Sequence, residues 1–516
     1  MHFASSDKPD ALDYEGVRRV ARKNDEDDDS SGWDTFKRRA RGLTNAADNN
    51  GAAVESSKPV DSNHANLRLG KRGHAISFAG FFLFTVVLYF RPYELIPALS
   101  SLMQMAFYIG LFTLIAYLIS QIIAEGNITA PLREVKLVLL LGLLALLSIP
   151  LAIDPGEAWG DFSEILIKAL LMFIVLVNVV RTRTRMMMLI LVAIAVSIYL
   201  SVNAISDYRN GVFIIGKADL ARIGGSIGGL FKNSNDLALH LVTMVPLAVC
   251  LGLATKGLLR KIIYWGAAGL MAAATVVTFS RGGFLGLIGV TLLFAYKFGK
   301  RNKPVTIAVL ALTFILFIGL APGSYGDRLG TIFDSASDLS GSSSQRTQVL
   351  KRSIVVALRY PLTGVGIGNF HHKSFQELGT HNAYTQVASE IGIPAFVIYV
   401  MFLLYPLKRL RQVEKTSSES KDKESRWFFF MSIGLQGAII GYMVSSFFGA
   451  VAYQWYIYYL VGYAICLHRM FLVRTPSLAH VSWETPFTRA TKRAEKQAKQ
   501  QGKLINQPTM ASTSQV

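Results

Sequence analysis

The chain has 516 residues, 51% of them hydrophobic and 17% charged, with a mean hydropathy of +0.36, too apolar for a soluble protein and too long for a single-span anchor. The formal net charge of +19 does not point to nucleic acid. The basic residues sit mainly at the ends of apolar runs and in the tails, and no aromatic–basic recognition module interrupts those runs.

Residues 1–72 are polar, with the acidic run Asp25-Glu26-Asp27-Asp28-Asp29 and scattered arginines, a composition that cannot bury enough apolar surface to fold alone and predicts a disordered cytoplasmic tail. No short apolar segment with a small-residue cleavage site precedes the first span, so a cleaved signal peptide is not expected. Residues 73–473 form the membrane domain. A span needs about twenty mostly apolar residues, and twelve such runs stand near 75–91, 103–124, 135–153, 162–180, 186–206, 236–254, 260–279, 282–298, 304–321, 388–407, 427–447 and 452–472. The predicted fold class is therefore an all-α polytopic membrane protein of about twelve transmembrane helices. Cys250 and Cys466 both fall inside these runs, where they read as packing residues rather than a disulfide or a thiolate metal site.

Arg181/Arg183/Arg185, Lys256/Arg260/Lys261, Lys297/Lys300/Arg301/Lys303 and Lys408/Arg409/Arg411 all follow even-numbered runs. The positive-inside rule then puts these loops and both termini in the cytoplasm. The segment 474–516 continues as a basic tail on the same side. On the opposite side the loop 154–161 is acidic, and two connections, 207–235 and 322–387, are too long to be mere turns. The second is the large loop between spans nine and ten. Glycine patterns in both, Ile223-Gly224-Gly225 and Gly364-Val365-Gly366-Ile367-Gly368, predict folded loops with tight backbone turns.

Ionisable residues are nearly absent at mid-membrane depth, which argues against an ion-coupled transporter; a permease or a lipid-binding scaffold is the reading from another functional class. Candidate chemistry lies instead at the outer boundary. Arg281 opens span eight inside Ser280-Arg281-Gly282-Gly283, and the glycine pair lets a backbone or a ligand approach the guanidinium. Arg222 precedes Ile223-Gly224-Gly225-Ser226. His381 opens Thr380-His381-Asn382-Ala383-Tyr384-Thr385; on a helix starting there, Tyr384, Thr385, Ala388 and Gly392 would continue one face and form a small-residue groove, with Glu390 on the opposite face. Asp327, Asp334 and Asp338 are dispersed, and no Asp-X-Asp pair or His/Asp cluster with ligand spacing stands in the outer loops, so neither a metal nor another cofactor is expected.

Taken in order, Arg222 with Gly224 and Asn233-Ser234-Asn235, then Ser280-Arg281-Gly282-Gly283, Arg346 ahead of Pro361-Leu362-Thr363-Gly364-Val365-Gly366-Ile367-Gly368, and His381-Asn382-Ala383-Tyr384 before Glu390-Ile391-Gly392-Ile393-Pro394 resemble the O-antigen ligase and polymerase superfamily. Arg91-Pro92-Tyr93-Glu94-Leu95 is similar to a ligase-like branch of it. The resemblance covers about 75–475 and departs at Ser234, where proline is frequent. It implies a GT-C-like membrane glycosyltransferase of the bacterial inner membrane. Such an enzyme moves a finished glycan from an undecaprenyl-diphosphate carrier to an acceptor hydroxyl, on lipid A-core or another molecule, at the periplasmic face. It also implies roles for residues at matching positions. Arg222 and Arg281 would bind the diphosphate, Arg346 would assist, Asn235 and Tyr384 would contact substrate, and His381 would act on the acceptor hydroxyl or hold the donor. An O-antigen polymerase or a protein O-oligosaccharyltransferase of the same superfamily remains the alternative.

Overall fold

The computed structural model describes residues 74–96, 104–215, 221–227, 233–299, 342–419 and 422–475, with four isolated positions between them, all within the unit Asn66–Val516. The N-terminal tail, the C-terminal segment beyond residue 475, the ninth apolar run and Asp327, Asp334 and Asp338 lie outside the described residues.

The chain is an all-α polytopic membrane protein. Its described helices are α1 (Ala75–Phe90), α2 (Met105–Glu125), α3 (Arg133–Ser148), α4 (Pro155–Asp161), α5 (Ile167–Val179), α6 (Arg183–Arg209), α7 (Ser234–Ala254), α8 (Leu258–Val277), α9 (Arg281–Phe298), α10 (Ser342–Arg359), α11 (Ala383–Glu390), α12 (Ile393–Glu419), α13 (Lys423–Ser445) and α14 (Trp455–Arg474). A π-turn over Phe162–Leu166 joins α4 to α5 in one span. Among the described residues ten spans are long and apolar enough to cross a membrane. The seventh predicted run, α8, is a helix of 20 residues as well, with Arg260 and Lys261 in its first turn. The described sheet is a two-stranded hairpin, β1 (Ile214–Ile215) against β2 (Ala221–Arg222), with Ile214 opposite Arg222.

In lipid the outward face of a bundle is apolar, because the solvent there is hydrocarbon. Phe107, Phe112, Ile119 and Ile123 of α2 and Leu139, Leu143 and Leu147 of α3 are exposed accordingly. The apolar stretches of α7 and α14 are each 83% buried, against 22% for α2, so α7 and α14 form the centre and α2 the periphery. The small residues of α13 set its distance from α7. Gly437 faces Pro246 with no room for a methyl group, and Gly434 against Cys250 and Gly441 against Val242 would take one only if those neighbours gave way. Gly286 of α9 is filled in the same way by Ser445 and by the Gly441 carbonyl. Close backbone approach of this kind drives helix association where no hydrophobic force acts between helices, and it brings the N-termini of α7 and α9 to the C-terminus of α13.

The two ends of the bundle differ in chemistry. One end carries the basic loops, and there the charges are paired across helices: Arg181 with Glu125 at 2.6 Å, Arg409 with Glu134 at 2.5 Å and Lys297 with Glu414 at 2.5 Å. The other end gathers the β-hairpin, the α8–α9 turn, α10, α11 and the connections 151–155 and 446–454. The long connection before α11 is folded. Val349 and Val356 of α10 join Val365 and Phe370 in a small core of their own.

The single helix expected from His381 into the tenth span is broken. Asn382 caps α11, accepting from the amides of Tyr384 and Thr385 at 2.9 and 3.1 Å, α11 ends at Glu390, and Gly392 turns the chain at φ +105° before α12 begins. A side chain at Gly392 would meet the carbonyls of Leu362 and Pro361. The predicted groove descending to Gly392 is therefore absent, because that glycine serves the break.

Candidate functional site

Gly364, Gly366 and Gly368 take φ of +64°, +101° and +76°, values that side-chain-bearing residues rarely adopt. Their turn is stitched to the break between α11 and α12. The amides of Val365 and Gly366 donate to the carbonyls of Ser389 and Glu390, both at 2.9 Å, and the Ile153 amide donates to the Val365 carbonyl at 3.0 Å. Buried Glu390 accepts from the Gly368 amide at 3.1 Å, with Tyr453 beside it. Burial pushes its carboxyl up to about 8. This glycine-rich segment is a docking turn that holds α11 in place.

His381 precedes the α11 cap in the left-handed region, at φ 50°. Its ring lies at an open surface, yet protein packed behind it pushes its pKa below the usual histidine value, and the Arg346 and Arg222 guanidinia push in the same direction. Arg346 and Arg222, both remote in sequence, thus each lie within electrostatic reach of His381. A neutral imidazole beside two cations is the form that can accept a proton. Among the described residues, none hydrogen-bonds to the His381 side chain.

Arg281 stands at the first position of α9, on the same end of the bundle. The α8–α9 connection is three residues, with Phe279 at φ 57° and Ser280 as the cap. Ser280 Oγ accepts from the Gly283 amide at 3.2 Å and donates to Asn235 Oδ1 at 2.9 Å, so one hydroxyl ties the N-termini of α7 and α9 together. The flanking glycines do not open space for a ligand. Gly282 packs on Phe448, and Gly283 on Ala238 and Thr275. The guanidinium itself is half-buried, and among the described residues no carboxylate pairs with it. A cation at a helix N-terminus works against the helix dipole.

Tyr384 Oη donates to the Met443 carbonyl at 2.8 Å, which fixes α11 to the end of α13. The N-terminus of α9 docks on the same segment through Gly282 and Phe448. The candidate residues therefore surround residues 443–448: Arg281 and Asn235 through α9 and α7, and Tyr384 with His381 through α11. Asn235 uses its carbonyl on Ser280, and among the described residues its amide donors meet no acceptor.

Two features depend on distant parts of the chain. A helix places Glu390 away from His381, but its lock on Gly368 depends on a turn 22 residues earlier. A titratable cluster also forms where no ligand spacing was legible. Glu157, His371 and His372 place their ligand atoms within 4.8 Å of one another. The adjacent histidines were visible in the sequence, but their partner is 215 residues from His372.

Residues 266–400 match the family model described as O-Antigen ligase. The matched stretch runs from α8 into α12 and contains Arg281, Arg346 and His381, while Arg222 and Asn235 precede it. A search of curated proteins found no match.

Proposed function

We propose, from the match of residues 266–400 to the O-antigen ligase family model, that this chain transfers a glycan from an undecaprenyl-diphosphate carrier to an acceptor hydroxyl at the periplasmic face of the bacterial inner membrane. The observation that carries the reading is the convergence of His381 with Arg222 and Arg346 at the end of the bundle where Arg281 has no carboxylate partner among the described residues.

A lipid diphosphate is an anion held at headgroup level. Arginine suits it, since the planar guanidinium pairs with phosphate oxygens bidentately and stays charged at any relevant pH. In the proposed reaction the acceptor oxygen attacks the anomeric carbon as its proton passes to the His381 imidazole. The bond from that carbon to the diphosphate oxygen breaks, and the bonding electrons leave with the diphosphate. Arg222, Arg281 and Arg346 offset the charge that develops there, which fixed cations in a partly dry site do effectively. Direct displacement inverts the anomeric centre. A positioned base contributes roughly 10²–10⁴-fold. Asn235 contributes amide donors to the donor's headgroup, and Tyr384 holds His381 in register through its anchor on α13.

The test is reconstitution of the purified chain with lipid-linked glycan and a panel of hydroxyl acceptors that includes lipid A-core, a second carrier-linked glycan and a serine/threonine peptide. Transfer to one class identifies the acceptor. No transfer to any of them, by a chain that retains its fold, refutes the reading.

A further inference from the structure

We propose that Glu157, His371 and His372 form a divalent-metal site of zinc type that clips the start of α4 to the turn before His381, separate from the diphosphate site. Three ligand atoms converge. Glu157 Oε2 lies 3.0 Å from His372 Nε2 and 3.6 Å from His371 Nε2. Ligands about 2.0–2.1 Å from a tetrahedral zinc stand roughly 3.3–3.4 Å apart, so the two separations bracket what such an ion requires.

The surroundings resemble those of a bound ion. His371 Nδ1 lies 3.0 Å from the Gly368 carbonyl. With that nitrogen as the donor, the lone pair falls on Nε2 and the ring is oriented toward Glu157, the second-sphere arrangement usual for metal-bound histidine. The two imidazoles lie 4.0 Å apart between centroids, 37° from parallel. Asp154 holds Glu157 in place by accepting from its amide at 3.0 Å, and it lies within electrostatic reach of His372, as Asp161 does of His371. This local excess of negative charge favours a cation. Two imidazoles and one carboxylate suit zinc better than magnesium or calcium, which prefer all-oxygen shells. All three side chains are partly exposed, so an ion can enter and a water can complete the fourth position.

The protein already interlocks here through the Asp154 amide, which donates to Asn369 Oδ1 at 2.5 Å, and through the Ile153–Val365 pairing. A metal would fasten the same junction by its side chains, and the chain runs on from it to His381. Its effect is on the rigidity of the support rather than on the leaving group.

The experiment uses the full chain in detergent, purified without a polyhistidine tag and stripped with EDTA. Zinc chloride is titrated by calorimetry, and cobalt(II) is followed by visible absorption. The expected result is one zinc per chain with a dissociation constant tighter than about 10 µM, the intense bands of four-coordinate cobalt, and a zinc-dependent rise in thermal midpoint. Glu157→Gln and His372→Ala should each weaken binding by about tenfold or more and lose the rise in midpoint, whereas Glu377→Gln should change neither. Equal zinc affinity in all variants, the weak bands of six-coordinate cobalt, or no binding to the wild-type chain would each overturn the proposal and leave the cluster as a histidine–carboxylate ion pair.

Discussion

Replacing Arg281 separates a binding role from a structural one. Its guanidinium opens α9, half-buried and with no carboxylate partner among the described residues, so a bound diphosphate would be its counter-charge. Two charge-assisted hydrogen bonds at about 1.5–3 kcal/mol each amount to ~3–6 kcal/mol, a loss of roughly 10²–10⁴-fold in kcat/KM for Arg281→Ala at 1.36 kcal/mol per decade. Arg281→Lys keeps the charge but not the fork and should lose about one of the two bonds, on the order of 10–10²-fold. Stability should hold. The Ser280 cap and the packing of Gly282 on Phe448 do not involve the side chain, and removing a cation from a helix N-terminus is favourable by about 0.3–1 kcal/mol. The assay is transfer from purified lipid-linked glycan in proteoliposomes at matched protein level, with thermal midpoint measured in parallel. Wild-type turnover by the alanine variant would refute the diphosphate role. A fall in midpoint that matches the loss of activity would assign Arg281 to the fold instead.

Four further outcomes are expected. His381→Ala should lose turnover while retaining donor affinity, measured by equilibrium binding of the lipid-linked glycan, and substantial transfer by His381→Gln would show that the residue positions substrate, since glutamine cannot act as a base near neutral pH. Because burial and the Arg346 and Arg222 cations depress the His381 pKa below 6.5, the acid limb of kcat/KM should fall below that pH; bound diphosphate offsets the cations, so the limb of kcat should lie at higher pH than that of kcat/KM, and coincident limbs would count against the arrangement. Chelation by EDTA should leave the initial transfer rate within about twofold when arginines rather than a metal face the leaving group, and a loss restored by Mg²⁺ or Mn²⁺ would refute this. Glu390, raised from 4.5 to about 8 in the fold, keeps its proton where the unfolded chain has released it, so its stabilising contribution is full below pH 4.5 and is lost as pH rises through about 8; Glu390→Gln should flatten the thermal midpoint between pH 5 and pH 8, and an unchanged slope would reject the assignment.

Eleven of the twelve apolar runs are helices among the described residues. In lipid each backbone polar group must be satisfied within its own segment, so an apolar run of sufficient length has no other stable structure, and 75–91 became α1 as surely as 236–254 became α7. That Arg281, Arg222 and His381 share one end of the bundle was legible too, because an even or odd number of crossings fixes the side. Local rules failed where distant backbone made the decision. The Gly392-Ile393-Pro394 run is itself a helix-stop signal, but the tight packing at that break is set from afar, since the Leu362 and Pro361 carbonyls that exclude a side chain at Gly392 come from a turn some thirty residues earlier. Gly282 and Gly283 suggested close approach of a backbone or a ligand; the backbone of Ser445, with Phe448, Ala238 and Thr275, takes that room. Glu157 and His372, 215 residues apart, carry no mutual signal in the sequence, because only the packing of α4 against the Gly364–Gly368 turn brings them within reach. Apolar periodicity and charge order are properties of a segment and can be read from it. Which side chains share a site depends on how closely helices approach and where they break, and that was decided by contacts between segments.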